Sequence, residues 1–164
     1  MRAIITALII FSSLTINTAH AKLKVTTPSE VCAYLKDFGL ATRGWKNHYE
    51  NVYGCSSPYK ELGSGFPLAN NLAFYVEGDN TTARQTKLVL NVNNCESEKP
   101  AHEELLKAAE ALSVKATGES LPKTLRDAIK TGKNTTAKVG SAFMEVIREN
   151  WPTGKGYEIK VLIK

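Results

Sequence analysis

The chain has 164 residues, of which 43% are hydrophobic and 23% are charged, and its formal net charge is +5. This composition is typical of one globular domain with a hydrophobic core, and it excludes a collagen, a coiled coil and a mostly disordered chain. Basic and acidic residues are interspersed and no run of three basic residues occurs. Since nucleic-acid binding needs a basic patch or stripe, we expect no nucleic-acid partner.

The N-terminus is typical of a secretory signal peptide. Arg2 precedes a mainly apolar run over 3–14, and Ala19-His20-Ala21 fits the small-x-small rule for cleavage. We therefore expect residues 1–21 to be removed, leaving 22–164 as a single globular domain.

A membrane anchor is the alternative interpretation of this segment. An apolar run of about 12 residues is too short to cross about 30 Å of hydrocarbon. No later segment is apolar enough to span a membrane, so we expect no membrane span after cleavage. The mature chain loses the charge of Arg2, its net charge falls from +5 to +4, and we expect it to be periplasmic or secreted.

Three cysteines, Cys32, Cys55 and Cys95, follow the predicted cleavage site. In an oxidising compartment a disulfide is the expected state. We favour the pair Cys32–Cys55, which would tie the first helix to the next extended segment and leave Cys95 as a thiol that is buried or paired between chains. Zinc at Cys95 and His102 is an alternative, but the spacing lacks the closely spaced cysteine pairs of structural zinc sites. We expect no metal and no cofactor.

The first predicted element of the mature chain is a helix over 28–38. Thr27-Pro28-Ser29-Glu30 has the pattern of a capping box, apolar residues follow at helical spacing, and Gly39 suits a helix C-terminus. The mixture of aromatic and polar residues that follows predicts short strands over 44–48 and 50–57.

Alternating apolar residues over 72–76 and 87–92 predict a hairpin with a turn-rich connection between its strands. Two helices then follow, one over 99–113 and one between Ser120 and Gly132, each with an apolar stripe.

The last segment is ambiguous. Residues 157–163 alternate as a strand does, whereas 139–149 fits either a helix or a strand that pairs with 157–163. The Gly- and Pro-containing loop between these two segments favours a hairpin. The order of elements predicts an α+β fold, with helices packed on one face of an antiparallel sheet.

Patterns for catalysis are mostly lacking. Neither a nucleophile elbow nor a phosphate-binding loop has its required spacing. His48 is the better catalytic candidate of the two mature histidines, with Glu50 or Asp37 as its acidic neighbour. His102 lies beside two glutamates on a predicted helix, which indicates a solvated position.

One loop is unusual for its composition. Trp151, Thr153, Lys155 and Tyr157 lie close together, and aromatic and basic residues in loops are enriched at recognition sites. The alternative is that the two rings fold back onto the core and the glycines only make the turn. A second group of aromatic residues lies around Trp45, and we expect these rings to pack on the sheet.

The leading hypothesis is a small exported, non-enzymatic protein that binds another protein. It would act as an inhibitor or accessory protein of the bacterial envelope, or in a secretion or toxin-immunity system. The alternative is a small secreted hydrolase centred on His48. A third possibility is a structural component that assembles through Cys95.

Overall fold

Eight strands form one antiparallel sheet in the computed structural model, which describes residues 21–65 and 68–164. The predicted signal peptide, apart from residue 21, lies outside the described residues. The strands are β1 (Lys46–Tyr49), β2 (Val52–Ser56), β3 (Lys60–Leu62), β4 (Asn70–Gly78), β5 (Ala83–Val92), β6 (Thr135–Val139), β7 (Ala142–Asn150) and β8 (Tyr157–Ile163).

The helices are α1 (Pro28–Cys32), α2 (Glu98–Thr117) and α3 (Lys123–Thr131), and short 3₁₀ turns lie at Lys36–Phe38 and Cys95–Ser97. The predicted α+β fold with an antiparallel sheet is therefore confirmed. Both predicted hairpins are present, and in the second one the ambiguous segment 139–149 is mostly strand β7, although Val139 ends β6 and residues 140–141 form the turn between them.

The sheet has the strand order β1-β2-β4-β5-β8-β7-β6, and β3 also pairs with β4. The last strand in the sequence, β8, therefore lies between β5 and β7. This insertion joins the two hairpins into one sheet, and it places the β7–β8 connection beside the end of β5.

One face of the sheet is covered by the helices and forms the core. Because side chains alternate along a strand, Leu88 and Leu90 of β5 and Val161 of β8 point to one face and are fully buried. Helix α2 packs on β4, β5 and β8, and α3 packs on β6 and β7. Residues such as Lys87 and Lys160 lie on the other face, which no described helix covers.

The expectation of a continuous helix over 28–38 is wrong. Helix α1 ends at Cys32, where the next two backbone N–H groups donate to the carbonyls three residues back instead of four. The Thr42 hydroxyl donates to the Cys32 carbonyl over 3.1 Å, and the Lys115 ammonium donates to the Tyr34 carbonyl. A single 3₁₀ turn then leads to Gly39, whose φ is +73°.

Candidate functional site

The β7–β8 loop holds Trp151 in one orientation. The Trp151 backbone N–H donates to the Gly156 carbonyl over 3.0 Å, and the Gly154 N–H donates to the Trp151 carbonyl over 2.9 Å. The indole lies directly on Gly156, where a Cβ atom would be 2.5 Å from the ring. Only glycine allows this contact, so the loop holds a half-buried indole against its own backbone.

The tip of the loop is exposed and carries the other predicted binding residues. Thr153 and Lys155 are both exposed, and the Thr153 hydroxyl oxygen lies 3.4 Å from the Lys155 backbone nitrogen. Lys155 takes part in none of the ion pairs of the described residues. The structure therefore brings Trp151, Thr153 and Lys155 together on one short surface.

Tyr157 is placed differently from these three residues. It is the first residue of β8 and its side chain is 3% exposed. Its hydroxyl lies 2.7 Å from Glu98 Oε2 and 2.8 Å from His102 Nε2. Burial, together with the hydrogen bond to Glu98, raises the pKa of Tyr157 above its usual range. Tyr157 thus ties the end of the loop to α2 from inside the protein.

The prediction that His102 is solvated is wrong. The side chain is 6% exposed, and its Nδ1 lies 3.0 Å from the Lys130 carbonyl at the end of α3. Because a carbonyl only accepts, Nδ1 carries a hydrogen in this contact. Both ring nitrogens are thus engaged inside the protein, which does not favour a zinc site with Cys95.

The helical spacing of apolar residues indicates that His102 is buried, although its two acidic neighbours in the sequence suggest an exposed position. His102 lies three, four and seven residues before Leu105, Leu106 and Ala109, so it continues the apolar stripe of α2. The glutamates that follow it point away from this stripe. Periodicity was therefore a better guide to its burial than neighbouring charge.

Arg148 is a further residue of this region that sequence reasoning missed. It lies near the end of β7, and its guanidinium carbon is 3.5 Å from the centre of the Tyr157 ring. A cavity of about 310 Å³ opens beside it, with Cys95, Glu98 and Asn150 in its walls. The residues of this cavity come from three separate segments, so no local pattern marks them.

His48, the centre of the alternative hydrolase site, lies on the opposite hairpin. All four residues of β1 are exposed, and a cavity of about 360 Å³ contains His48 with Ser56, Tyr75 and Glu77. The imidazole makes no hydrogen bond to any described residue. Its proposed acidic neighbours, Asp37 and Glu50, do not line this cavity.

Acid–base or nucleophilic catalysis needs a base within hydrogen-bond reach of a nucleophile and a group that orients the base. Within the described ranges no such set forms around His48. Burial, together with a hydrogen bond that the neutral Tyr75 hydroxyl donates to Tyr59, raises the pKa of Tyr75 to about 12, so this hydroxyl stays protonated at neutral pH and does not serve as a base.

The predicted disulfide Cys32–Cys55 is confirmed. It joins the end of α1 to β2, with the two Cα atoms 6.2 Å apart. Cys95 is a free and exposed thiol, so the expectation that it could be buried is wrong.

Two general features of the described residues bear on the site. No group of three or more metal-ligating side chains is found in 21–65 and 68–164. Across the same residues, no helix has the length and apolar character that a membrane span requires.

The fold and the site define a small, disulfide-bonded α+β protein whose polar side chains gather behind one short loop. Residues 18–153 match a family of unknown function, DUF6030, and the chain belongs to this family. Comparison with curated proteins and with solved structures gives no significant match.

Proposed function

We propose that this protein is exported to the bacterial periplasm or secreted, and that it binds another protein through the β7–β8 loop. The disulfide supports the location, because disulfides persist in oxidising compartments and are rare in the cytosol. The signal-like sequence over 1–21 supports the same location.

The pre-organised loop carries the binding proposal. Trp151 is held on Gly156 by backbone hydrogen bonds, and Thr153 and Lys155 extend into solvent beside it. Because the loop is already ordered, it loses little conformational entropy when a partner binds, and this favours affinity. Tryptophan is also among the residues that contribute most to binding at interfaces.

The binding surface thus comprises Trp151, Thr153 and Lys155. Tyr157 supports it from below, through its hydrogen bonds to Glu98 and His102. We propose that this binding serves a role as an inhibitor or accessory protein of the envelope, or of a secretion or toxin-immunity system.

The test is capture of the partner. The full chain, tagged at its C-terminus and exported so that its disulfide forms, would be mixed with native envelope extract, and bound proteins identified by mass spectrometry. A stoichiometric partner would then be purified and its Kd measured against the W151A/K155A variant. We expect this variant to bind about tenfold more weakly or worse, as is typical of an interface hot spot.

The matched control is the K46A/Y49A variant. It removes an exposed lysine and an exposed aromatic ring from the β1–β2 hairpin instead. We expect it to bind the partner as tightly as the unchanged protein. Binding lost only in the control would contradict the site, and the lack of any stoichiometric partner would contradict the function.

A further inference from the structure

Arg148 is fixed from two sides. Its guanidinium carbon is 3.5 Å from the Tyr157 ring centre, and its Nε donates to Asn150 Oδ1 over 3.0 Å. Only Nε is engaged in a hydrogen bond, so the two terminal nitrogens have no hydrogen-bond partner among the described residues. They form the fork that pairs with a planar carboxylate through two parallel hydrogen bonds.

No carboxylate of the described residues pairs with Arg148. By contrast, Arg84 pairs with Asp79 over 2.6 Å, and Arg126 pairs with Glu110 over 3.4 Å. Arg43 also lacks an ion pair, but it is exposed and no side-chain hydrogen bond holds it. Arg148 alone among these arginines is both held in place and without a carboxylate.

The surroundings of Arg148 are cationic. Its Nη1 lies against the end of α3, where a Cβ on Gly132 would be 2.8 Å away, and exposed Lys130 and Lys133 flank that glycine. Lys155 lies between two glycines of the loop, Gly154 and Gly156, and both line the same cavity. None of these lysines forms an ion pair with a described residue.

One acidic side chain, Glu98, is part of the cavity wall. Its Oε2 accepts the hydrogen bond of the buried Tyr157 hydroxyl, and it does not form an ion pair with Arg148. Glu98 offsets one of the four positive charges of Arg148, Lys130, Lys133 and Lys155. The net positive charge of this group favours an anionic ligand. A concave surface concentrates the electric field of the charges around it, so the cavity is the place where an anion is attracted most strongly.

We infer that the Arg148 cavity binds a carboxylate of an acidic segment in the partner protein. This inference rests on the proposed function and adds the chemistry of the partner. Trp151 would contact the apolar part of that segment while Arg148 receives its carboxylate. Lys155 at the rim would attract the same segment by charge.

The probe is a blocked peptide, Gly-Glu-Glu-Glu-Gly, beside the same peptide with glutamine in place of glutamate. Each is titrated into the ¹⁵N-labelled protein at low salt, and the Arg148 Nε–H and the Trp151 indole N–H are followed by NMR. We expect both signals to shift saturably with the acidic peptide. The glutamine peptide should bind about tenfold more weakly, because charge-assisted hydrogen bonds are lost.

Variants locate the effect. Arg148→Gln should weaken acidic-peptide binding about tenfold, and Arg148→Lys should bind at an intermediate level, because it keeps the charge without the planar fork. Arg43→Gln is the matched control, with the same change of charge at the other end of the sheet, and should bind as the unchanged protein does. Circular dichroism and thermal melts verify that each variant is folded.

Three outcomes of the peptide titrations would overturn the inference. These are equal binding of the two peptides, unchanged binding by Arg148→Gln, and tighter binding of inorganic phosphate than of the acidic peptide at the Arg148 signal. The last would identify a free-anion site rather than a site for a protein segment.

Capture of the protein partner separates this inference from the proposed function. A partner lost by W151A/K155A but held by Arg148→Gln would overturn the carboxylate site and leave the proposed function standing. Peptide binding at Arg148 without any protein partner would instead overturn the proposed function.

Discussion

The β1–β2 and β7–β8 hairpins share one structural device and differ in what surrounds it. In β1–β2 the His48 imidazole lies near Gly54, where a Cβ would be 3.1 Å from Nε2. In β7–β8 the Trp151 indole lies on Gly156, where a Cβ would be 2.5 Å from the ring. In both, a glycine lets an aromatic ring approach the backbone.

The surroundings separate the two hairpins. Around His48 the strand is exposed and the imidazole has no hydrogen-bond partner among the described residues. Below the Trp151 loop, Tyr157 connects α2 and β8 through two hydrogen bonds, and Arg148 stacks on its ring. A ring on glycine is therefore not sufficient to define a site. Fixed polar groups lie beside the ring only in the β7–β8 hairpin, and our proposal therefore places recognition there.

The hairpins are also anchored by different means, one covalent and one polar. Cys55 of β2 is bonded to Cys32, whereas β8 is held to the helices by the Tyr157 hydroxyl. The predictions below act on one anchor or the other.

The largest effect is expected from C32A/C55A. The disulfide joins two cysteines that are 23 residues apart in the sequence. Loss of a cross-link that closes a loop of this size should lower the free energy of unfolding by about 3 kcal/mol. Chemical denaturation of the variant and the unchanged protein measures this difference. Hydrogen exchange should show β2 losing protection before β8, and the reverse order would contradict separate anchors.

A somewhat smaller effect is expected from Tyr157→Phe. This change removes the hydroxyl between Glu98 and His102 and leaves their polar atoms without this partner, which should cost about 2 kcal/mol of stability. Tyr49→Phe is the matched control, since Tyr49 is 64% exposed, and should change stability by less than about 0.5 kcal/mol. Equal effects at the two tyrosines, measured by urea denaturation, would show that the polar anchor contributes nothing.

Alanine at the two glycines is the direct comparison of the hairpins. A Cβ at Gly156 would meet the Val92 carbonyl at 2.4 Å, and one at Gly54 would meet the Val76 carbonyl at 2.6 Å. We expect each change to cost about 1 kcal/mol, because the backbone must shift. Only Gly156→Ala should alter the Trp151 fluorescence and weaken partner binding. Weaker partner binding by Gly54→Ala would indicate that the partner contacts the β1–β2 hairpin, which would contradict the proposed binding loop.

The smallest expected effect is a loss of stability at acidic pH through Asp79, in the turn before β5. Hydrogen bonds from the Arg84 side chain and from the backbone of Thr81 and Thr82 hold the pKa of Asp79 well below its usual range. The stability that the ionised carboxylate contributes is therefore present above the pKa of unfolded aspartate, and it is lost as the pH falls towards the lower folded value.

The measurement is the Tm of the unchanged protein and of Asp79→Asn. We expect the unchanged protein to have the higher Tm at pH 7 and this advantage to shrink below about pH 4. Since the Trp45 indole donates to the Asp79 carbonyl over 3.2 Å, loosening should begin near β1 rather than near β8. A Tm difference that does not change with pH would contradict the role of the carboxylate.

Local pattern alone was enough to predict much of this protein. Strict alternation over 72–76, 87–92 and 157–163 predicted three strands of the sheet, because one face of each strand must be buried. The pairing of Cys32 with Cys55 was likewise predicted correctly. The cluster over 151–157 was predicted as a feature of interest because its composition is visible without a fold.

Only the tertiary structure decided how far the first helix runs and which side chains meet behind the loop. Helix α1 ends at Cys32, and side chains from other segments hold the turn that follows, since Thr42 donates to the Cys32 carbonyl and Lys115 donates to the Tyr34 carbonyl. Tyr157 and His102 are 55 residues apart and meet because β8 inserts between β5 and β7, under the start of α2. Periodicity reports which face of an element is buried. It carries no information about which polar groups of separate elements will face one another, and the candidate site is built from those groups.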